Sequence, residues 1–141
     1  MVDTLGKAAR SERMSRIRAK DTGPEMAVRR LIHGMGYRYR LHKKKLPGRP
    51  DIVFGKRRKI IFVHGCFWHR HSDSACKLSR APKSRLEFWM PKLEGNVARD
   101  AGNEEALRSM GWDILVIWEC QLKDEASLKL EIESFLNHEI D

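Results

Sequence analysis

The sequence predicts an α/β domain, a central mixed sheet flanked by helices, and three patterns predict it. Two short apolar runs, Asp51–Phe54 and Lys59–His64, flank the turn Gly55-Lys56-Arg57-Arg58 and read as an antiparallel hairpin. A further apolar run, Trp112–Trp118, follows a long helical pattern and has the length and β-branched content of a buried strand. Helical patterns lie before the hairpin and after the last strand, the arrangement of elements expected of helices covering a sheet.

The elements follow in order. Residues 1–10 offer no packing face, and Ser11 is placed to cap a short basic helix in which Met14 and Ile17 share one side among Arg13, Arg16, Arg18 and Lys20. That helix is too short to stand alone. It is either a solvated basic segment packed by two apolar residues or a segment that orders on DNA and presses Met14 and Ile17 toward a groove. The chain is therefore divided into a basic arm over 1–20 and a main domain over 21–141. Asp21-Thr22-Gly23-Pro24-Glu25 is a turn leading into a helix, with Pro24 suited to its first turn and Glu25 favourable to its dipole. This helix is expected to reach Met35, with Met26, Leu31 and Ile32 among its core contacts and Gly34 and Gly36 ending it. Tyr37–Leu41 is a candidate strand, and Leu46-Pro47-Gly48-Arg49-Pro50 is a loop. The hairpin places Asp51 and His64 near the same end, because antiparallel strands of similar length return to their start. From Gly65 to Lys83 apolar periodicity is lost, over a stretch long enough to need a staple or a function. A helix over roughly Ser84 to Met110 follows, with Gly102 a candidate break, and an amphipathic helix over Ala126–Leu136 closes the chain.

Charge narrows the partners. The 141 residues carry 28 Lys+Arg against 19 Asp+Glu, a net charge of +9. Such a surplus attracts polyanions, nucleic acid first and an anionic membrane surface second. No apolar stretch of membrane-spanning length and no signal-peptide core is present, so a soluble cytoplasmic protein is expected. Three cysteines suit ligands or buried thiols better than a disulfide framework.

Cys66, His71 and Cys76 fall five residues apart inside the long loop, and Cys120 follows the last strand. A closed set of three Cys and one His is a structural zinc site. It would use every cysteine and tie the unsupported loop to the sheet. By spacing alone, His64 or His69 could take the place of His71.

Pro50-Asp51 ahead of a hairpin is a common opening of metal-dependent nuclease sites, where a carboxylate holds Mg²⁺ through hard oxygen ligands. The second strand of such sites usually carries an acid and a lysine two residues apart. Here that stretch is Phe62-Val63-His64, so the acid is missing. His64 and His69 can move protons near neutral pH. Glu25 and Asp100 are further carboxylates able to approach. Trp89, Lys92, Asn96 and Asp100 advance by three, four and four and so line one helical stripe. Phe67-Trp68 places two large aromatics in a polar loop, either packed under the staple or free to wedge between base pairs, with Trp89 available to join them.

These residues resemble one family. Leu46-Pro47-Gly48-Arg49-Pro50-Asp51, Ile61-Phe62-Val63-His64-Gly65-Cys66-Phe67-Trp68-His69, Arg85-Leu86-Glu87-Phe88-Trp89, Asn96, Arg99-Asp100 and Trp118-Glu119-Cys120 are similar to the very-short-patch repair (Vsr) endonucleases over about residues 8–124. The resemblance implies a restriction-endonuclease-like fold with one structural zinc. It implies nicking beside the thymine of a T:G mismatch left by 5-methylcytosine deamination, which starts short-patch repair. The substrate would be double-stranded DNA in the cytoplasm, at the nucleoid, with mismatch-repair proteins and a cognate cytosine methyltransferase as functional partners. Asp51 would hold Mg²⁺ with the backbone carbonyl of Val63. His64 and His69 would be catalytic, supported by Glu25 and Asp100. Zn²⁺ would fall on Cys66, His71, Cys76 and Cys120. Phe67, Trp68 and Trp89 would form the wedge, opposed from the other groove by Met14 and Ile17, with Lys92 and Asn96 reading the mismatched pair. Val63 stands where some members carry threonine, a change a carbonyl ligand tolerates, and the His71–Cys76 span is longer than in some members. Two other readings stand beside this one: a restriction-type endonuclease that cuts intact duplex, and a zinc-containing DNA-binding module without chemistry.

Overall fold

The computed structural model describes residues 22–41, 43, 45–67, 69, 71, 76 and 84–138. The basic arm with Met14 and Ile17, and Trp68, lie outside the described residues.

The first helix, α1 (Gly23–Gly34), starts on a reciprocal cap. The Thr22 hydroxyl accepts from Glu25 N at 3.3 Å, and the Glu25 carboxylate accepts from Thr22 N at 3.4 Å. It ends at Met35, and Gly36 takes the positive φ of 96° that turns the chain away. Its core contacts are Val28 and Ile32, with Leu31 half-buried beside them. Met26 lies off the core and its sulfur accepts from Arg29 Nη1 at 3.1 Å.

Among the described residues, four strands make one sheet in chain order: β1 (Arg40–Leu41), β2 (Ile52–Phe54), β3 (Lys59–His64) and β4 (Asp113–Trp118). β1 pairs with β2 and β2 with β3 antiparallel, whereas β3 and β4 run parallel, so the sheet is mixed. β1 is shorter than the Tyr37–Leu41 run suggests, because its neighbour β2 is only three residues long. The helix between β3 and β4, α2 (Leu86–Ser109), runs through Gly102 without a break. An isolated glycine costs a helix only about 1 kcal/mol, and Leu93 and Leu107 anchor the helix in the interior on either side of it. A 3-10 turn (Glu119–Lys123) and α3 (Glu125–Asn137) complete the order.

Strand alternation makes two cores. Ile52, Phe54, Ile61 and Ile117 pack against Val28 and Ile32 of α1 and against Leu128, Ile132 and Leu136 of α3. Val53, Ile60 and Phe62 face the other way, onto Leu107 of α2 and Trp112. At the far end of β3 from His64, Lys59 is buried, bonded to Asp113 at 3.0 Å and capped by the Phe135 ring. The fold thus seals one end of β3 and β4 and leaves the other end for chemistry. No helix among the described residues is long and apolar enough to cross a membrane.

Candidate active site and metal centre

Register explains why the site forms at the C-terminal ends of β3 and β4. Ile52 lies opposite Ile61, which brings Asp51 beside the last residues of β3, and Asp51 Oδ2 accepts from Val63 N at 2.7 Å. In the parallel pair, His64 lies opposite Trp118. Two residues further along each chain stand Cys66 and Cys120, so the same register places them together.

Asp51 is buried, and burial pushes its carboxyl up to about 7; the Val63 N–H and Arg29 oppose this, and the neighbouring Glu25 adds to it. Glu25 is itself buried and bonded to Arg29 Nη2 at 2.6 Å. Its capping role and its place beside Asp51 are therefore carried by one side chain. Two buried carboxyls side by side, with one guanidinium paired to Glu25, form the kind of hard-oxygen donor set that suits a divalent cation.

The His64 and His69 rings stack at 3.9 Å, within 6° of parallel. Asp100 of α2 meets His69 Nδ1 through its Oδ2 at 2.5 Å. The three donor groups lie within 4.8 Å of one another. Burial, with the adjacent His69, lowers His64 to about 4, against the pull of Asp100, so its ring is uncharged at neutral pH.

Cys66, His71, Cys76 and Cys120 form a separate cluster whose ligand atoms all lie within 4.8 Å of one another. Tetrahedral zinc with sulfur ligands needs neighbours about 3.8 Å apart, so this donor set can bind zinc. Burial pushes the Cys66 thiol up to about 12, and a cation is what would draw buried thiols into thiolate form. The geometry assigns His71 to this cluster and His64 and His69 to the other, which spacing had left open. His71 is steered into place by its N–H, which donates to Cys66 O at 3.0 Å, and by its ring, which stacks on Trp118 at 4.3 Å.

The stripe on α2 continues outward from Asp100. Trp89 meets the edge of Phe67 at 5.7 Å and of Phe88 at 5.2 Å. Lys92 Nζ lies 4.3 Å over the Phe88 ring, and Asn96 Oδ1 accepts from Arg99 at 3.1 Å. Phe67 and Trp89 thus lie on the same side of the helix as the His69–Asp100 pair, and Asp51 and Glu25 lie across β3.

Sequence reasoning missed two contributors. Trp118 stacks on His71 and presents its ring to His64 at 5.2 Å, joining the cysteine cluster to the histidine pair. Its signal was available: one residue before the 3-10 turn that carries Cys120, at the end of a strand. Arg29, four residues after Glu25, carries the charge that compensates Glu25 and Asp51, and an i,i+4 pair in a buried position is its signal.

The mixed sheet with its covering helices has the fold of a solved endonuclease domain. The solved "Homing Endonuclease I-Bth0305I Catalytic Domain" matches it with a TM-score of 0.55, over 82% of this chain and 94% of that one, at 21% identity. The family model "DNA mismatch endonuclease Vsr" matches residues 2–75. The chain is 49% identical to a type II nicking enzyme, V.XorIIP, of Xanthomonas oryzae pv. oryzae, over 97% of this chain and 98% of that protein. It is 41% identical to the DNA mismatch endonuclease Vsr of Escherichia coli K12, over 91% and 80%, respectively. It is 41% identical to the type II nicking enzyme V.NmeAIP of Neisseria meningitidis, over 89% and 88%. The chain belongs to the Vsr family of DNA endonucleases and is a phosphodiester hydrolase. A zinc module without chemistry is thereby set aside.

Proposed function

We propose that this endonuclease nicks one strand of double-stranded DNA beside the thymine of a T:G mismatch, leaving a 5′-phosphate and a 3′-hydroxyl, and so opens short-patch repair of deaminated 5-methylcytosine. The observation that carries this reading is the convergence of Asp51, His64, His69 and Asp100 at one end of β3, beside the Phe67–Trp89 aromatic edge. Asp51, with the Val63 carbonyl, would hold Mg²⁺, and Glu25 supports the Asp51 side of the site. When bound, that ion supplies polarisation of the scissile phosphate and neutralises its growing charge. Cys66, His71, Cys76 and Cys120 would hold Zn²⁺, which would tie down the loop that carries Phe67 and His69.

The chain's own side chains account for the proton traffic. With Asp100 accepting from Nδ1, His69 keeps the lone pair of Nε2 free to take a proton from the attacking water. Water oxygen bonds to phosphorus as its proton passes to His69 Nε2, the bond to the 3′ oxygen breaks, and that oxygen takes its proton from solvent, to which His69 later returns the one it took. His64, uncharged and stacked on His69, fixes the ring plane. Phe67, Trp68 and Trp89 would test the duplex by insertion, since a mismatched pair unstacks at lower cost than a matched one. Met14 and Ile17 would press from the opposite groove, and Lys92 and Asn96 would meet base edges. The basic arm over 1–20 would add phosphate contacts, consistent with the +9 charge. Action at the nucleoid follows from such a substrate.

Two measurements check this. End-labelled duplexes bearing T:G, A:C or no mismatch are incubated with Mg²⁺ or EDTA. Nicking restricted to T:G and abolished by EDTA is expected; equal cutting of matched DNA would establish the restriction-type reading instead, and activity in EDTA would remove the metal. Separately, Asp100→Asn is expected to slow nicking by about a hundredfold or more, because the His69 ring loses the partner that fixes its tautomer. Combining it with His69→Ala should cost little beyond His69→Ala alone, since the two act as a unit. Full additivity would show that Asp100 acts elsewhere.

A further inference from the structure

Among the described residues, three arginines hold left-handed backbone: Arg49 at φ 46°, Arg58 at φ 57° and Arg85 at φ 56°. A residue with a Cβ resists this region, and Arg49 also precedes Pro50, which narrows its choices further. Such backbone persists only where the surroundings enforce it, and it concentrates at functional sites. Arg58 and Arg85 are accounted for within the protein. Arg58 Nη2 donates to Met110 O at 2.6 Å and its guanidinium lies 4.3 Å over Trp112. The Arg85 guanidinium lies 4.5 Å over Phe88. Arg49 is exposed, and among the described residues its guanidinium has no hydrogen bond, ion pair or ring contact.

The loop enforces the Arg49 backbone. Arg49 N donates to Leu46 O at 3.1 Å, closing a turn. Gly48, at φ 76°, sits so tightly on α2 that a Cβ there would lie 3.0 Å from the Asn103 side chain. Asn103 stands three residues beyond Asp100, on the same side of α2. Asp51 stands two residues after Arg49. The strained position is therefore clamped between the two halves of the site, the Asp51 carboxylate on one side and the His69–Asp100 helix on the other.

Hydrolysis of a phosphodiester gathers negative charge on the phosphoryl oxygens, and a fixed cation there lowers the barrier. Among the described residues, the other arginines and lysines nearest this site have partners: Arg99, directly before Asp100, donates to Asn96 Oδ1 at 3.1 Å. Arg29 is buried against Glu25, Lys59 is sealed at the opposite end of β3, and β3 ends in Val63-His64. We propose that Arg49 is a catalytic residue whose guanidinium binds the non-bridging oxygens of the scissile phosphate, and that the left-handed turn before Pro50 exists to present it. This rests on the reading of Asp51 and His69 as the reacting centre.

Arg49→Gly tests it, because glycine accepts the positive φ freely and removes only the side chain. Single-turnover nicking is measured at saturating protein, on whichever duplex the wild type nicks, with Arg49→Lys and Asp51→Ala in parallel. Arg49→Gly is expected to melt at or above the wild-type temperature and to lose about a hundredfold in rate at saturation. Arg49→Lys should fall between, keeping the charge without the planar fork. Guanidinium ion at non-denaturing concentration should restore part of the Arg49→Gly rate and none of the Asp51→Ala rate. The proposal is overturned if Arg49→Gly nicks within about threefold of wild type, the scale of an ordinary surface substitution. It is equally overturned if the lost rate is shared in full by Arg49→Lys and is not restored by guanidinium, which would mark a loosened loop. An active Asp51→Ala would instead strike the reading of the site, so the two failures are separable.

Discussion

Asp51→Ala is expected to abolish nicking, by at least about a thousandfold in single-turnover rate, while the variant still binds the duplex as tightly as the wild type or slightly tighter. The carboxylate sits at the end of β3, held by the Val63 N–H and beside Glu25. On the proposed reading its removal takes away the oxygen donor for the cation and the transition-state stabilisation that depends on it, and each tenfold loss corresponds to about 1.4 kcal/mol. Affinity comes chiefly from Lys and Arg contacts to phosphates, which the substitution spares, and one negative charge facing the backbone is gone. Electrophoretic mobility shift on the uncleaved duplex, beside quenched-flow cleavage, separates the two quantities. A variant that binds normally and cuts near the wild-type rate would show that Asp51 is not the metal ligand. Loss of binding in proportion to loss of rate would show that the residue holds substrate and not the reacting charge.

The purified protein is expected to carry one zinc per chain, and Cys120→Ala to lose both the metal and the fold. Cys120 follows β4 directly, whereas Cys66, His71 and Cys76 belong to the loop after β3, so this thiol ties the loop to the sheet. In a site of this kind metal binding and folding are one free energy. Losing several kcal/mol in a domain of this size lowers the melting temperature by on the order of 10 °C or more. Elemental analysis and thermal melts check it, with EDTA dialysis as the parallel route to the metal-free chain. Native protein prepared without chelator and containing no zinc would overturn the assignment, as would Cys120→Ala retaining one zinc and the wild-type melting point.

The hairpin, the long helix, the last strand and both flanking helices were legible in the sequence because each is a local pattern. Ile52-Val53-Phe54 and Lys59–His64 alternate across a sheet, and Val28 with Ile32 and Leu128 with Ile132 recur at helical spacing. The meeting of Asp51 with the end of β3 was legible too, since a short hairpin leaves its ends no other place to go. Other features were not. Gly102 reads as a helix breaker, but a lone glycine yields to the burial of Leu93 and Leu107 around it. Tyr37–Leu41 reads as a candidate strand, of which only Arg40–Leu41 pairs, opposite the short β2. Trp118 and Arg29 escaped notice because each acts through a neighbour supplied by another element.

By itself, the sequence determined the chemical inventory: three cysteines with nearby histidines able to complete a metal site, Asp51 ahead of a hairpin, histidines after it, and a helix stripe ending in Asp100. These depend on residue type and on spacing within one element, quantities that a chain carries before it folds. Only the tertiary structure decided which histidine serves which cluster. The parallel register of β3 with β4 sets Cys66 beside Cys120 and draws His71 in, and the packing of α2 across the sheet gives His69 to Asp100. It also decided that Arg49 stands in left-handed backbone, since that conformation comes from the closure of the loop onto Asn103. Partners supplied by distant segments cannot be read from local spacing, because the free energy that selects them is gained only when the segments pack together.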